Sequence, residues 1–108
     1  MKAGDIVLVP FPYAEFAAVK VRPAVVVALT ADKYEDVVVS AVSSVVPNKP
    51  SRTEIVLMPN RTNKLRAQSV IKVDRIVTFK QSAVITQLGK LSPNELQRFK
   101  AIFRSLVD

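Results

Sequence analysis

The run Pro23-Ala24-Val25-Val26-Val27-Ala28-Leu29 constrains this chain more than any other stretch. Six apolar residues follow a proline without a break. The run is too short for a membrane span and reads as a strand covered on both faces. Pro23 has no N–H and a fixed φ, which places it at the first position of that strand. Arg22 then stands at the strand's mouth, where backbone enters the core from a loop. A guanidinium there is held by buried structure, reaches solvent, and offers planar paired donors suited to phosphate. A surface ion pair at the sheet edge is the competing role for it.

The rest of the chain supplies partners for that strand. Gly4-Asp5-Ile6-Val7-Leu8-Val9-Pro10-Phe11-Pro12 is a turn running into a strand. Pro10 and Pro12 lie two apart and lack donors, so this end is an edge or leaves the sheet. Residues 13 to 22 read as a long loop, and loops of that length usually have a task. Val37 to Ser43 is a second buried strand and ends in Ser43-Ser44. Thr53 to Met58 is a fourth strand, stopped by Pro59. Residues 61 to 66 form a polar connector with room for one helical turn. Ser69 to Phe79 alternates, with Ile71, Val73, Arg75, Val77 and Phe79 on one face and Lys72 and Asp74 on the other. Residues 81 to 87 read as a connector and 88 to 91 as a turn.

Ser92-Pro93-Asn94-Glu95 is a capping box with proline at the first helical position. Leu96, Phe99, Phe103 and Leu106 follow at helical spacing as one apolar stripe that packs on the core. The expected architecture is therefore mainly β: five strands in a small, strongly bent antiparallel barrel, with a C-terminal helix packed across it. Pattern alone leaves an SH3-like barrel and an OB-fold both open. One domain spans residues 1–108, with the barrel over 4–88 and the helix over 93–107.

Composition narrows the chemistry. The chain has no cysteine and no histidine, which removes disulfides, thiolate ligands and the commonest general acid–base side chain. Zinc is therefore not expected, nor is a cofactor, while an ion bound by carboxylates stays open. No apolar run reaches the length of a membrane helix, and no signal peptide is evident, so the expected location is the cytoplasm. The net charge is +7. It is concentrated: residues 49 to 80 hold eight Lys/Arg against Glu54 and Asp74, whereas residues 1 to 40 hold four against five acids. Such clustering fits a polyanionic partner such as nucleic acid.

If the strands beginning at Pro23 and ending at Ser43 are antiparallel neighbours, Arg22 and Ser43 meet at one rim of the sheet. A guanidinium and a hydroxyl converging there make a phosphate clamp and can stabilise charge growing on phosphorus oxygens. The plainer alternative is that Ser43 and Ser44 simply begin the next loop.

Gly4-Asp5-Ile6-Val7, Arg22-Pro23-Ala24, Val42-Ser43-Ser44, Ser69-Val70-Ile71-Lys72-Val73-Asp74 and Gly89-Lys90-Leu91-Ser92, in this order, resemble the PemK/MazF toxin family. The resemblance implies an SH3-like barrel with a C-terminal helix. It also implies a homodimeric, ribosome-independent endoribonuclease, an mRNA interferase, that cuts single-stranded mRNA at short sequences and is blocked by a cognate antitoxin. The family arginine falls on Arg22, and Ser43 stands where relatives carry threonine. A first-loop acid falls on Glu15, beside Ala17-Ala18 where many relatives carry glycine. The Arg-x-Asp of some members becomes Lys72-Val73-Asp74. The expected catalytic set is Arg22, Ser43, Glu15, Asp74 and Lys72, with Glu15 or Asp74 as base. The expected RNA contacts are Lys20, Ser44, Ser69 and Arg75. Two alternatives belong to other classes: a non-catalytic barrel toxin acting on DNA gyrase, and a simple nucleic-acid-binding module.

Overall fold

The coordinates are a computed structural model that describes residues 1–13 and 18–108. Among these, six strands form one antiparallel sheet: β1 (Asp5–Tyr13), β2 (Ala18–Leu29), β3 (Val37–Ser43), β4 (Glu54–Leu57), β5 (Ser69–Phe79) and β6 (Thr86–Lys90). Their order is β4-β5-β3-β2-β1-β6. Helix α1 (Pro93–Ser105) closes over one face.

Both faces of the sheet are covered, as the valine-rich strands require. Partners across adjacent strands share a face. Ile6 lies opposite Val25, and Val42, Ile71 and Ile55 follow one another across β3, β5 and β4. These five pack with Phe99, Leu96 and Phe103 of α1. Val7, Val9, Ala24, Val26, Val37 and Val39 make a second core on the other face. Phe11 of β1 and Phe79 of β5, far apart along the sheet, meet edge to face with ring centroids 5.3 Å apart. The sheet therefore curls around this second core, which is the concave side of the half-barrel.

The capping box forms as the sequence indicates. Ser92 accepts from the Glu95 N–H at 3.2 Å, and the Glu95 carboxylate accepts from the Ser92 N–H at 2.8 Å. Among the stripe residues Phe99 is fully buried. The helix stops at Ser105, short of residue 107, and Val107 is exposed.

Three sequence expectations are corrected. First, β2 begins at Ala18, so most of the expected loop before Arg22 is strand. Pro23 lies inside β2, opposite Leu8. Its missing N–H costs no ladder bond, because the β2–β3 pairing begins only at Ala24. Pro10 and Pro12 sit on β1 beyond its pairing with β6, which ends at Leu8, so they too remove no ladder bond on that side.

Second, residues 86 to 90 form β6, a sixth strand, and the sheet runs past residue 88. Two glutamine-flanked, poorly patterned segments hid it. The edge strands β4 and β6 are bridged by the turn that follows β4. Asn60 and the fully buried Asn63 fold that turn by accepting from backbone N–H groups of Thr62, Asn63, Asn60 and Leu65. The Lys90 N–H then donates to the Thr62 carbonyl at 3.0 Å. Gly89 permits this approach: a Cβ there would clash with the Thr62 carbonyl oxygen and stand 2.6 Å from that of Asn63. The connector over residues 61 to 66 closes a single i→i+4 turn, the Lys64 N–H donating to the Asn60 carbonyl at 3.0 Å, and does not extend into a helix.

Third, the alternation of β5 does not hold along its length. Ser40 pairs with Ile76 but the next residue, Ala41, pairs with Lys72. Val73, Asp74 and Arg75 are thus three extra residues bulged from the ladder. An odd insertion reverses the pleat, so Ile71 and Val73 join the core under α1 while Val77 and Phe79 join the concave one. The bulge is pinned from both sides. The buried Ser40 hydroxyl donates to the Val73 carbonyl at 2.9 Å, and the Val73 N–H donates to the Thr53 carbonyl at 3.0 Å.

Candidate active site

The β2–β3 ladder ends at the pair Ala24–Ala41. Arg22 and Ser43 each lie two residues beyond that last pair. Both residues are half-buried. Arg22 lies opposite Val9, a member of the concave core, so it belongs to the concave side of the sheet. Ser43 shares that side, because it is two residues from Ala41 on the same strand. Arg22 also has an interaction partner within the chain.

The next strand adds a second cation. Lys72 of β5 is the partner of Ala41 and is half-buried. It therefore stands diagonal to Ser43, with Cα atoms roughly 7–8 Å apart by sheet geometry. Lys20, two residues before Arg22 and opposite Phe11, is exposed on the same side. At its open end the concave core thus gives way to a polar row: Lys20 and Arg22 from β2, Ser43 from β3, Lys72 from β5. Ser43 is fixed within that row. Its Oγ accepts from the Val45 N–H at 3.1 Å, which leaves the hydroxyl proton to donate outward.

The remaining expected residues fall differently. Asp74 sits in the β5 bulge, exposed, and its Oδ2 accepts from the Thr53 hydroxyl at 3.1 Å. The bulge takes Asp74 out of the regular alternation that would have set it beside Lys72. Arg75 is exposed in the same bulge, and Ser44 is exposed just beyond β3. Ser69 is 4% exposed and donates to the Ala67 carbonyl at 2.9 Å, so its hydroxyl serves the turn rather than the polar row. Glu15 lies outside the described residues.

Glu54 was not singled out from sequence. It is half-buried and directly opposite Lys72, so it shares the concave side, and its Oε1 accepts from the Ser51 N–H at 2.8 Å. The period-2 pattern of β4 could have placed it on a face, but not beside Lys72 without the β4–β5 register.

Chemically, a guanidinium, two ammonium groups and an oriented hydroxyl on one concave rim suit a phosphodiester: the cations offset charge on its non-bridging oxygens, and the hydroxyl donates to one of them.

Comparison with known proteins agrees with this fold. The family of PemK-like, MazF-like toxins of type II toxin–antitoxin systems matches residues 2–107. An endoribonuclease from a mycobacterial species, solved with its cognate antitoxin, superposes with a TM-score of 0.75 at 15% identity, over 99% of this chain and 94% of that one. MazF from Deinococcus radiodurans gives 0.72 at 23% identity, over 99% and 96%. A Mycobacterium tuberculosis MazF toxin gives 0.66 at 17% identity, over 94% and 96%. No curated protein sequence matches the chain.

Proposed function

Because the chain belongs to the PemK-like, MazF-like toxins of type II toxin–antitoxin systems, we propose that it is a sequence-specific endoribonuclease that cleaves single-stranded mRNA without a metal ion and is neutralised by a cognate antitoxin. It acts in the cytoplasm as a homodimer. The observation that carries this reading is that Arg22, Ser43 and Lys72 fall on one side of the sheet, Arg22 and Ser43 each two residues beyond the last β2–β3 pair.

In the reaction we propose, the substrate supplies its own nucleophile. The ribose 2′-oxygen attacks the adjacent phosphorus; the O2′–P bond forms as the P–O5′ bond breaks. Glu15 or Asp74 takes the 2′-hydroxyl proton. The Arg22 guanidinium stabilises the charge that accumulates on the equatorial oxygens, and Lys72 adds to it from the next strand. Ser43 orients the phosphate or relays to the departing 5′-oxygen the proton that the carboxylate has taken. The products are a 2′,3′-cyclic phosphate and a free 5′-hydroxyl. Lys20, Ser44 and Arg75, all exposed, hold the flanking strand in this reading.

The test is incubation of purified protein with long single-stranded RNA, with and without EDTA. Discrete fragments with cyclic phosphate ends in both conditions are expected, and their loss in Arg22→Ala. RNA that stays intact but shifts in mobility would leave only a binding module. Intact RNA together with gyrase trapped on DNA would replace the nuclease with a gyrase poison.

A further inference from the structure

A cavity of about 160 Å³ opens between α1 and the sheet, lined by Ala3, Val27, Phe99, Lys100, Phe103 and Arg104. It has a structural cause. In the β2–β3 ladder Val26 pairs with Val39 and Ala28 with Val38, so Val27 is an extra, bulged residue. Val27 keeps the face of Val25, two residues earlier, and the bulge sends Leu29 to the other core, so Val27 is the last β2 side chain under α1 and is only partly buried. Ala3, at the turn before β1, is too small to fill the space left over.

The chemistry of the cavity is uneven. Its floor is apolar: Val27, Ala3 and the rings of Phe99 and Phe103, whose centroids are 6.2 Å apart. Its rim is cationic. Lys100 and Arg104 are exposed and sit four residues apart on α1, hence on one stripe of the helix. No carboxylate is among the lining residues. An apolar cavity of roughly 150 Å³ accommodates a benzene-sized group, so the space here suits one aromatic or large aliphatic side chain.

We propose that this cavity docks an acidic segment of a partner protein, one bulky apolar side chain entering between Val27 and Phe103 while flanking carboxylates meet Lys100 and Arg104. Buried apolar anchors ringed by charge pairs are how short segments gain both affinity and orientation. The cavity lies on the α1 side of the sheet, and the Arg22–Ser43–Lys72 row lies on the concave side. Occupation therefore leaves the row open to RNA. A partner seated here tethers the protein without silencing it. The proposal does not depend on the nuclease reading, since it rests on the opposite face.

The probe is a fluorescein-labelled 12-residue peptide with one phenylalanine among glutamates and glycines, followed by anisotropy against the full chain. Saturable binding is expected. It should weaken at least tenfold when the peptide's phenylalanine is replaced by serine. The same loss is expected with Ala3→Leu, which fills the cavity and keeps both cations, and with the double variant Lys100→Glu, Arg104→Glu. Circular dichroism confirms that each variant is folded, and excess single-stranded RNA should not displace the peptide. The proposal is overturned by absence of saturable binding, by equal binding of the serine peptide, or by unchanged affinity in Ala3→Leu, each of which leaves only general charge attraction. Displacement by RNA would move the peptide to the concave face and overturn it too. So would a drop in oligomeric state in Ala3→Leu, which would make a second copy of this chain the occupant.

Discussion

Ser40→Ala isolates the device that shapes the polar row. Ser40 is fully buried, and its hydroxyl donates to the Val73 carbonyl at 2.9 Å. Val73 is itself fully buried and lies in the β5 bulge, where no ladder partner from β3 exists. Alanine removes one oxygen and leaves that carbonyl without its donor. An unsatisfied buried acceptor costs about 1–3 kcal/mol. With a urea m-value of about 2 kcal/mol per molar, a loss of about 2 kcal/mol lowers the unfolding midpoint by about 1 M. The melting temperature should fall by about 10 °C. Far-UV circular dichroism at fixed protomer concentration is the assay, since the chain has no tryptophan. Lys72 is the residue that precedes the bulge, so cleavage should also slow by about tenfold, with Lys72 untouched. A midpoint shift under about 0.2 M would refute the reasoning: the bulge would then hold itself through the Thr53 carbonyl alone.

Other expectations follow from single contacts. Gly89→Ala forces a Cβ onto the carbonyls of Thr62 and Asn63; it should cost about 1–3 kcal/mol, read as a lower melting temperature. Ser92→Ala removes the N-cap of α1 and should cost about 1 kcal/mol in the same assay. Lys20→Met and Lys72→Met should each flatten the salt dependence of RNA binding by about 0.7 in log–log slope if each neutralises one phosphate. Filter binding over a salt series measures it.

Local chemistry announced the features of this fold that depend on neighbours in sequence. The capping box and the stripe through Phe99 fix α1 without reference to the sheet. The valine runs fix β2 and β3, because only burial on both faces tolerates them. What sequence concealed is cross-strand. Pro23 looked like a strand start because the residue type is usually excluded from ladders, yet it stands where β3 no longer pairs. The faces of β5 were misread because alternation assumes an uninterrupted ladder, and a three-residue bulge reverses it. β6 escaped notice because it is short and polar, with burial that depends on the Asn60–Asn63 turn reaching across. For the candidate site, strand ends suggested that Arg22 and Ser43 meet; the sheet gives them one face, each two residues past the last β2–β3 pair. The place of Lys72 beside them, and of Glu54 opposite it, required the β4–β5 and β3–β5 registers. Asp74 was placed beside Lys72 by periodicity and is carried to Thr53 by the bulge.

The central claim is that Arg22 and Ser43 act on one phosphodiester. Single-turnover cleavage of a long single-stranded RNA by the wild type, Arg22→Ala, Ser43→Ala and the double variant tests it most directly. Groups serving one transition state are strongly non-additive. The expected result is a loss of about 10²–10³-fold for Arg22→Ala, a substantial loss for Ser43→Ala, and a double variant scarcely slower than Arg22→Ala alone. Wild-type rates in either single variant, or losses that multiply fully in the double variant, would contradict the account.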